Sequence, residues 1–415
     1  MISSVTENVF SEKKEKYEVK YGLDSNVKFC KRCVTSNQRP SSTVEFKNDG
    51  KRKETIVFDE NDVCAACLYA DIKDNEINWE EREQQLFKLC NEYRSKKGNY
   101  DCIVPGSGGK DSAFTAHVLK YKYKMNPLTV TWAPHRYTTI GWENFQSWIH
   151  SGLDNILFTP NGKVHRLLTR LAFENLLHPF QPFIVGQRMV APKMSAQFKI
   201  PLIFYGENQA EYGNNIEDNF SPIMKTKFFS GNSDPSKLLL GGVSGEQLMT
   251  DYGLCENELS AYLPVEYSEL EDCGTVVHYL GYYLRWDPQE CYYYAAENTG
   301  FKVNDERTEG SYSKYSSIDD RIDPLHYYTT FIKFGIGRAT YDACQEIRNK
   351  KITREEGVAL VRRYDSEVPT KFLDEMLAYI GITKDKFWEC INSGRSEHLW
   401  KLEKGEWTLR HAVWK

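Results

Sequence analysis

Two hydroxyls, two glycines, an ammonium and a carboxylate stand together in Ser107-Gly108-Gly109-Lys110-Asp111-Ser112. An apolar run, Tyr100 to Val104, precedes them and reads as a strand. Ala113 to Lys124 follows, with Phe114, Val118 and Tyr121 at helical spacing. A strand, a glycine turn and a helix start form an anion site. The glycines bring backbone N–H groups close to a ligand, and the helix N-terminus adds unpaired N–H groups and a positive dipole end. A phosphate is the natural guest. The Walker arrangement places Ser or Thr directly after its lysine. Asp111 stands there instead, so that reading fails. The plainer alternative is a flexible turn whose Ser107 or Asp111 caps a helix.

Four cysteines make the second constellation. Cys30-Lys31-Arg32-Cys33 and Cys64-Ala65-Ala66-Cys67 each set two thiols on one tight turn. Two such knuckles close a tetrahedral zinc site, and four thiolates leave it no open position, so the metal is expected to be structural. Thr43 to Phe46 and Thr55 to Phe58 are short strand candidates between them, with a turn at Asn48-Asp49-Gly50, which suits a zinc ribbon. The other seven cysteines (Cys90, Cys102, Cys255, Cys273, Cys291, Cys344 and Cys390) show no ligand spacing and read as small buried apolar residues.

A third polar group is Gly206-Glu207-Asn208-Gln209-Ala210-Glu211-Tyr212-Gly213, directly after the strand candidate Leu202 to Tyr205. Carboxylates there could hold magnesium or orient ammonia, and Asn208 could hydrogen-bond substrate or nucleotide. An ordinary polar loop between glycines accounts equally well for these letters. Further on, Arg307 to Tyr315 is polar, aromatic and turn-prone. Lys333 and Arg338 lie near two glycines and could recognise a carboxylate or phosphate. Solvated side chains on a helical domain are the bland alternative.

The elements that must position these groups alternate. Trp79 to Arg94 reads as a charged amphipathic helix. Leu128 to Trp132 is a strand candidate, Trp142 to Gly152 a helix, Ile156 to Phe158 a strand, and Val164 to Leu177 and Gln187 to Phe198 are helices. This order predicts an α/β fold with a parallel, doubly wound sheet. Ligands of such sheets bind beyond the carboxyl ends of the strands, where the glycine loop, Ala133 to Arg136 and the 206–213 loop all fall. Residues 214–270 read as an insertion, either a lid or a surface excursion. The TVVHYLGYYLRW run from Thr275 to Trp286 suggests the last sheet strand, Pro288 to Asn298 a helix, and the pattern from Tyr341 to the end is helical, with an apparent capping box at Thr353. Formal net charge is −5, so no global basic field invites nucleic acid. No apolar run approaches the ~20 residues of a membrane helix. The first residues have no apolar core or cleavage site, and an odd count of eleven cysteines fits reduced thiols, so a cytoplasmic location is expected.

Ser-Gly-Gly-Lys-Asp-Ser resembles the PP-loop of ATP pyrophosphatases, which split ATP into AMP and pyrophosphate. The resemblance implies that Ser107, Gly108, Gly109 and Ser112 cradle the leaving pyrophosphate and that Asp111 helps hold magnesium. Lys110 would neutralise charge on the leaving group. Beyond this loop, the chain is similar to the N-acetyl sugar amidotransferases of bacterial surface-sugar biosynthesis. The carrying segments are the four cysteines with Pro40, YDCIVPGSGGKDS (100–112), NPLTVTW (126–132), IGW (140–142), LFTPNGKVHR (157–166), YGENQAEYG (205–213), LGYYLRWD (280–287), ERTEGSYSKYSSID (306–319) and FIKFGIGRATYDACQEIRNKKITREEG (331–357). Gly106, where a strand residue is expected, and Asn214, where a second glycine is usual, depart from the pattern.

The resemblance implies four regions: an N-terminal extension over 1–28, the zinc ribbon over 29–78, a PP-loop domain of the adenine nucleotide alpha hydrolase type over 79–300, and a helical substrate or assembly region over 301–415. It implies ATP, Mg2+ and Zn2+ as cofactors, with Thr131 and Trp132 joining the loop residues at the nucleotide. Catalytic work falls to Lys110, Asp111, Glu207 and Asn208. Substrate contacts are expected from Glu211, Tyr212, Arg307, Glu309, Lys333 and Arg338. The implied reaction turns an acetamido group of a sugar into an acetamidino group through an O-adenylyl imidate, with ammonia from a separate glutaminase and a cyclase-like subunit. Two rivals share features. A tRNA-modifying PP-loop enzyme with a zinc ribbon predicts a basic face and salt-dependent binding. A non-catalytic zinc-ribbon scaffold predicts no ATP turnover.

Overall fold

Five short strands form one parallel sheet: β1 (Cys102–Pro105), β2 (Pro127–Trp132), β3 (Asp154–Phe158), β4 (Leu202–Tyr205) and β5 (Val276–Tyr279), in the spatial order β3-β2-β1-β4-β5. This is the α/β doubly wound architecture expected from the alternation. The computed structural model describes residues 17–41, 45, 50–213 and 220–415. Pairing is in register from Cys102 against Pro127 to Pro105 against Val130, and Ile103 meets Ile203. Alternate side chains face opposite sides. Ile103, Leu128, Val130, Ile203 and Val277 pack on α5 (Gly162–Leu176) and α6 (Gln181–Phe198). Cys102, Val104, Leu202 and Phe204 pack on α2 (Trp79–Tyr93), α3 (Lys110–Tyr121), α4 (Thr139–His150) and a helix over Pro288–Thr299, α7. Successive strands run outward from β1 to β3 on one side, and the chain then returns to place β4 on the other. The crevice of the sheet therefore opens between the loops after β1 and β4.

Ahead of the sheet, the second cysteine knuckle opens helix α1 (Ala65–Asn75). The four cysteines of the expected ribbon come together as a cluster, but no strand ladder joins the segments between them among the described residues. Pro40 with Thr55 and Phe58 with Cys64 form isolated bridges rather than a ladder. The strand expected over 43–46 and the turn at 48–50 fall mostly outside the described residues, as does Asn214. Residues 17–28 are packed: Tyr21 and Leu23 join Phe334 and Ile336 in a small core, and the Tyr21 hydroxyl donates to Gly394 O.

Three expectations need correction. The 275–286 run is not one strand, because β5 ends at Tyr279 and Leu280–Tyr283 turns as a short helix whose Gly281 N–H donates to Gly206 O at 2.8 Å. Residues 221–270 are neither a free lid nor a surface excursion: Phe229, Leu240, Leu248, Leu259, Tyr262, Val265 and Leu270 are buried in the core beneath α6. The C-terminus is helical through α8 (Asp323–Phe334), α9 (Arg338–Arg348) and α10 (Arg354–Tyr364), the last opened by the capping box at Thr353. It then closes with an antiparallel hairpin, β6 (Trp400–Glu403) and β7 (Glu406–Leu409), whose Trp400 Nε1 donates to Ile332 O. No helix among the described residues is long and apolar enough to cross a membrane.

Candidate active site and metal centre

The loop after β1 is shaped by close approaches. Gly108 has φ +85°, and a Cβ there would lie 2.8 Å from Phe145 Cα. Gly106 stands where a strand residue was expected, yet a Cβ on it would come 2.1 Å from the Ser112 Cβ. The missing side chain is what lets the start of α3 fold back over the end of β1. Gly109 caps α3, so the first N–H groups of that helix point into the crevice.

Lys110 Nζ and Asp111 Oδ2 lie 2.5 Å apart. Burial opposes the Lys110 charge, but Asp111 and Glu207 hold its pKa above the ordinary lysine value. Trp286 Nε1 donates to Asp111 Oδ1 at 3.2 Å. Across the crevice, Gly206 allows β4 to end against α3; a Cβ on it would sit 2.7 Å from Thr115 Oγ1. Glu207 follows. Burial, and next the charge of Asp111, push its carboxyl up to about 7, while the Tyr212 hydroxyl donates to its Oε2.

Two cavities meet at this wall. One, of about 370 Å³, is closed by the C-terminal helices and lined by Arg39, Trp286, Tyr315, Asp319, Arg338 and Asp342 among others. The second, of about 430 Å³, lies against Gln187, Tyr205, Asn208, Met224 and Tyr279. Ser107, Gly109, Asp111, Glu207 and Tyr212 line both. In the first cavity, Arg338 Nη2 pairs with Asp342 Oδ1 at 3.1 Å and its Nη1 donates to the Tyr327 hydroxyl at 2.5 Å.

Of the other residues singled out in the sequence, Asn208 borders the second cavity and the rest lie elsewhere. Thr131 and Trp132 are buried in the sheet core: Thr131 Oγ1 accepts from Asn155, and Trp132 stacks on Phe158 with centroids 5.1 Å apart. Asn208 is buried and braces its own loop, donating from Nδ2 to the Tyr69 hydroxyl at 3.1 Å and accepting from Ala210 N. Glu211 is sealed in an ion pair with Lys73, whose Nζ lies 2.9 Å from Oε1 with both side chains 1% exposed. Lys333 is buried against the Glu45 carboxylate and Leu176 O, and burial lowers its pKa to about 8. Arg307 grips Glu367 through two bonds of 2.6 Å, and Glu309 accepts from Thr370 N and Lys371 N. Apart from those of Asn208, these contacts fasten loops to one another away from the two cavities. Sequence reasoning missed Arg39, Trp286, Asp319, Tyr327 and Asp342. Asp319 was inside a quoted motif, but nothing in its spacing said that it faces the glycine loop.

The four cysteines come together. Their Sγ atoms all lie within 4.8 Å of one another, with Cys30 to Cys67 at 3.9 Å and Cys33 to Cys64 at 3.6 Å. A tetrahedral ion with metal–sulfur bonds near 2.3 Å needs sulfurs roughly 3.8 Å apart, so the cluster fits a single ion. Backbone N–H groups of Arg32, Cys33 and Cys64 point at Cys30 Sγ at 3.3–3.4 Å. Four thiols this close cannot all ionise without a cation. Hydrogen bonds from Cys33, Cys64 and Cys67 favour the Cys30 thiolate, and its presence pushes Cys64 and Cys67 up. The knuckles pack on α9 and α10, where Arg354 donates to Cys33 O and Cys30 O. Two corrections concern the remaining cysteines: Cys255 is exposed and Cys273 only half-buried. Cys344 is buried as expected, beside Cys33 and at the wall of the first cavity.

The fold and site thus define a parallel α/β protein with a glycine loop at its switch point and a cluster of four buried cysteines whose geometry fits a metal ion. Residues 309–413 match the family model described as LPS biosynthesis protein WbpG-like, C-terminal domain. An 80-residue stretch is 32% identical to the uncharacterized protein MJ1599 of Methanocaldococcus jannaschii, covering 19% of this chain and 28% of that protein. Among solved structures, the chain is similar to the U34-tRNA thiolase NcsA from Methanococcus maripaludis with its 4Fe-4S cluster. The TM-score is 0.26 at 10% identity, over 80% of this chain and 93% of that one.

Proposed function

We propose that this protein is an ATP-dependent, AMP-forming amidotransferase that converts an acetamido group of a bacterial surface sugar into an acetamidino group. The observation that carries the reading is the shared wall: Ser107, Gly109, Asp111 and Glu207 line two separate cavities, so a nucleotide in one and a second substrate in the other meet at the phosphate loop. The sequence resemblance and the WbpG-like C-terminal match support the choice of a surface-sugar substrate.

An amide is a weak electrophile and its oxygen a poor leaving group. Adenylation cures both. The amide oxygen attacks the α-phosphorus, pyrophosphate departs, and loss of the N–H proton leaves a neutral O-adenylyl imidate. Ammonia then adds to the imidate carbon, the C–O bond breaks, and AMP leaves. The loop N–H groups, Ser107 and Ser112 would hold the phosphates, and Lys110 would neutralise the departing pyrophosphate. Asp111 would hold magnesium, which supplies further charge neutralisation. Glu207, with its carboxyl near neutrality, is suited to take a proton from ammonium and so free the ammonia that attacks. Zinc in the four-cysteine centre would be structural, and a glutaminase with a cyclase-like partner would supply the ammonia. The net charge of −5 disfavours the tRNA-directed alternative.

The test is mass spectrometry of a UDP-linked diacetamido sugar after incubation with the protein, Mg-ATP and ammonium. The expected product has one O replaced by NH and appears with stoichiometric AMP. Release of ADP, or AMP formation independent of the sugar, would overturn the reading.

A further inference from the structure

Asp319 belongs to none of the roles above, yet it touches the phosphate loop. The Ser107 hydroxyl donates to its Oδ2 at 2.7 Å, bridging 212 positions of sequence. Its neighbour Asp320 is satisfied by His135 N, His135 Nδ1 and Ile322 N. Asp319 instead lines the first cavity beside Ser107, Lys110 and Glu207.

Helix α4 sets this placement. Thr138, its N-cap, donates from its backbone to Asp319 O at 3.1 Å and from Oγ1 to Ile318 O. One turn on, Gly141 has no side chain, and a Cβ there would come 2.5 Å from Asp319 Cα. The same helix backs the phosphate loop, with Asn144 O 2.9 Å from where a Gly108 Cβ would be. A single rigid element therefore fixes both the loop and the aspartate.

A serine hydroxyl has one proton to donate. When Ser107 turns it to a phosphate oxygen, Asp319 loses its donor and becomes a half-buried carboxylate on the wall of the cavity. Such a group needs a new donor. The acetamido N–H of the proposed substrate is one, and it is the proton that must leave as the imidate forms.

We infer that Asp319 is the catalytic base of the adenylation step, accepting the substrate's amide N–H and taking its proton as the oxygen–phosphorus bond forms; this rests on the amidotransferase reading above. The balance closes. The amide oxygen gains a bond to the α-phosphorus, the bond to pyrophosphate breaks, the C=N bond of the imidate forms, and the proton ends on the Asp319 carboxylate. Burial, opposed by the Ser107 hydrogen bond and reinforced by Asp320, holds this carboxyl above the usual carboxylate range, which makes it a stronger base than an exposed aspartate. Glu207 is then left for the ammonia step, so each half-reaction has its own base.

The experiment is sugar-dependent exchange of labelled pyrophosphate into ATP, with a UDP-linked diacetamido sugar as the probe, in wild type, Asp319→Asn, Ser107→Ala and the double variant. Asparagine keeps the shape and still accepts from Ser107, but it cannot take a proton. Its exchange kcat should fall about a hundredfold or more, with the KM for ATP within about threefold of wild type. Ser107→Ala should show the opposite split, a raised KM for ATP with a smaller loss of kcat. Gly141→Ala, which presses on Asp319 without changing its chemistry, should reproduce the kcat loss with the KM for ATP within about threefold of wild type, which shows the loop on the same helix unmoved, and decides the matter should Asp319→Asn not fold. Exchange by Asp319→Asn within about threefold of wild type would overturn the inference. So would identical profiles for both single variants and the double, which would mean that Asp319 only holds Ser107. In either case a wild type that exchanges and forms amidine keeps the functional reading intact. A wild type with no sugar-dependent exchange and no AMP removes that reading, and this one with it.

Discussion

Replacing Lys73 by methionine should destabilise the protein by about 3–5 kcal/mol, the range for removing one partner of a buried ion pair. The magnitude follows from the surroundings. Lys73 Nζ is ringed by Glu211 Oε1 at 2.9 Å, Glu211 Oε2 at 3.1 Å, Trp286 O at 3.2 Å and Asn349 Oδ1 at 3.2 Å. Both side chains of the pair are 1% exposed, so no water is at hand to replace the ammonium. Methionine fills the space and leaves a bare carboxylate. The loss should appear in urea unfolding followed by tryptophan fluorescence. Pairing Lys73→Met with Glu211→Gln should recover most of it, because the stranded charge is then gone. As a control, Lys302→Met breaks a pair with Glu143 whose side chains are 66% and 48% exposed, and should cost less than about 1 kcal/mol. A loss under about 1 kcal/mol for Lys73→Met would refute the argument. Glu211→Gln with a native melt and a raised KM for the sugar alone would return Glu211 to the substrate role its sequence position suggested. The pair also ties α1 to the loop after β4, so activity should fall with stability: Arg348 holds Glu211 O at 2.9 Å and Asn208 is held by Tyr69 of the same helix.

Three further outcomes are expected. Metal analysis of the purified chain should find close to one zinc per molecule, and Cys64→Ser should lose it together with cooperative unfolding, since metal affinity there is folding energy; a folded, metal-free wild type would sink the assignment. Lys110→Ala and Asp111→Ala should keep the melting temperature within a few degrees and abolish AMP formation; retention of AMP release by both would remove the loop from the chemistry. Glu207 titrates near 7, raised by burial from about 4.5, so the native state binds the extra proton. Its contribution to stability is full below about 4.5 and is lost as pH rises through about 7, up to about 3 kcal/mol. Glu207→Gln should therefore be more stable than wild type at pH 8 and should lack the rise in amidine formation through neutrality; equal stability at pH 8 would contradict the raised carboxyl.

Much of the sheet was legible because its signals are local. The strand runs are short and apolar, and the helices between them are periodic. The glycine loop fell at a junction where a strand end and a helix start leave N–H groups free. The paired cysteine knuckles were legible for the same reason, since two thiols on one turn already define half a site. What the letters could not show is the direction in which a polar side chain points. Glu207 and Glu211 are four residues apart on one loop. One faces two cavities, and the other is sealed against Lys73, 138 positions away. Lys333 beside its glycine looked like a ligand group and is a buried partner of Glu45. The terminal hairpin was missed because its strands alternate around a turn too briefly to break a helical pattern.

The glycines carry the information that the charged residues lacked. Gly106, Gly108, Gly141, Gly206 and Gly281 each stand where two segments press together: β1 on α3, the phosphate loop on α4, α4 on Asp319, β4 on α3, and the turn after β5 on the loop after β4. Read singly in the sequence, such a glycine marks a turn or a weak point in a helix. Gly141 is helical, has no positive φ, and lies within the first turn of α4. Its reason is the backbone of residue 319, which no local pattern could disclose. The site is therefore defined less by its acids and bases than by the missing side chains that let them meet, and this is why Asp319 became visible only once the chain was folded.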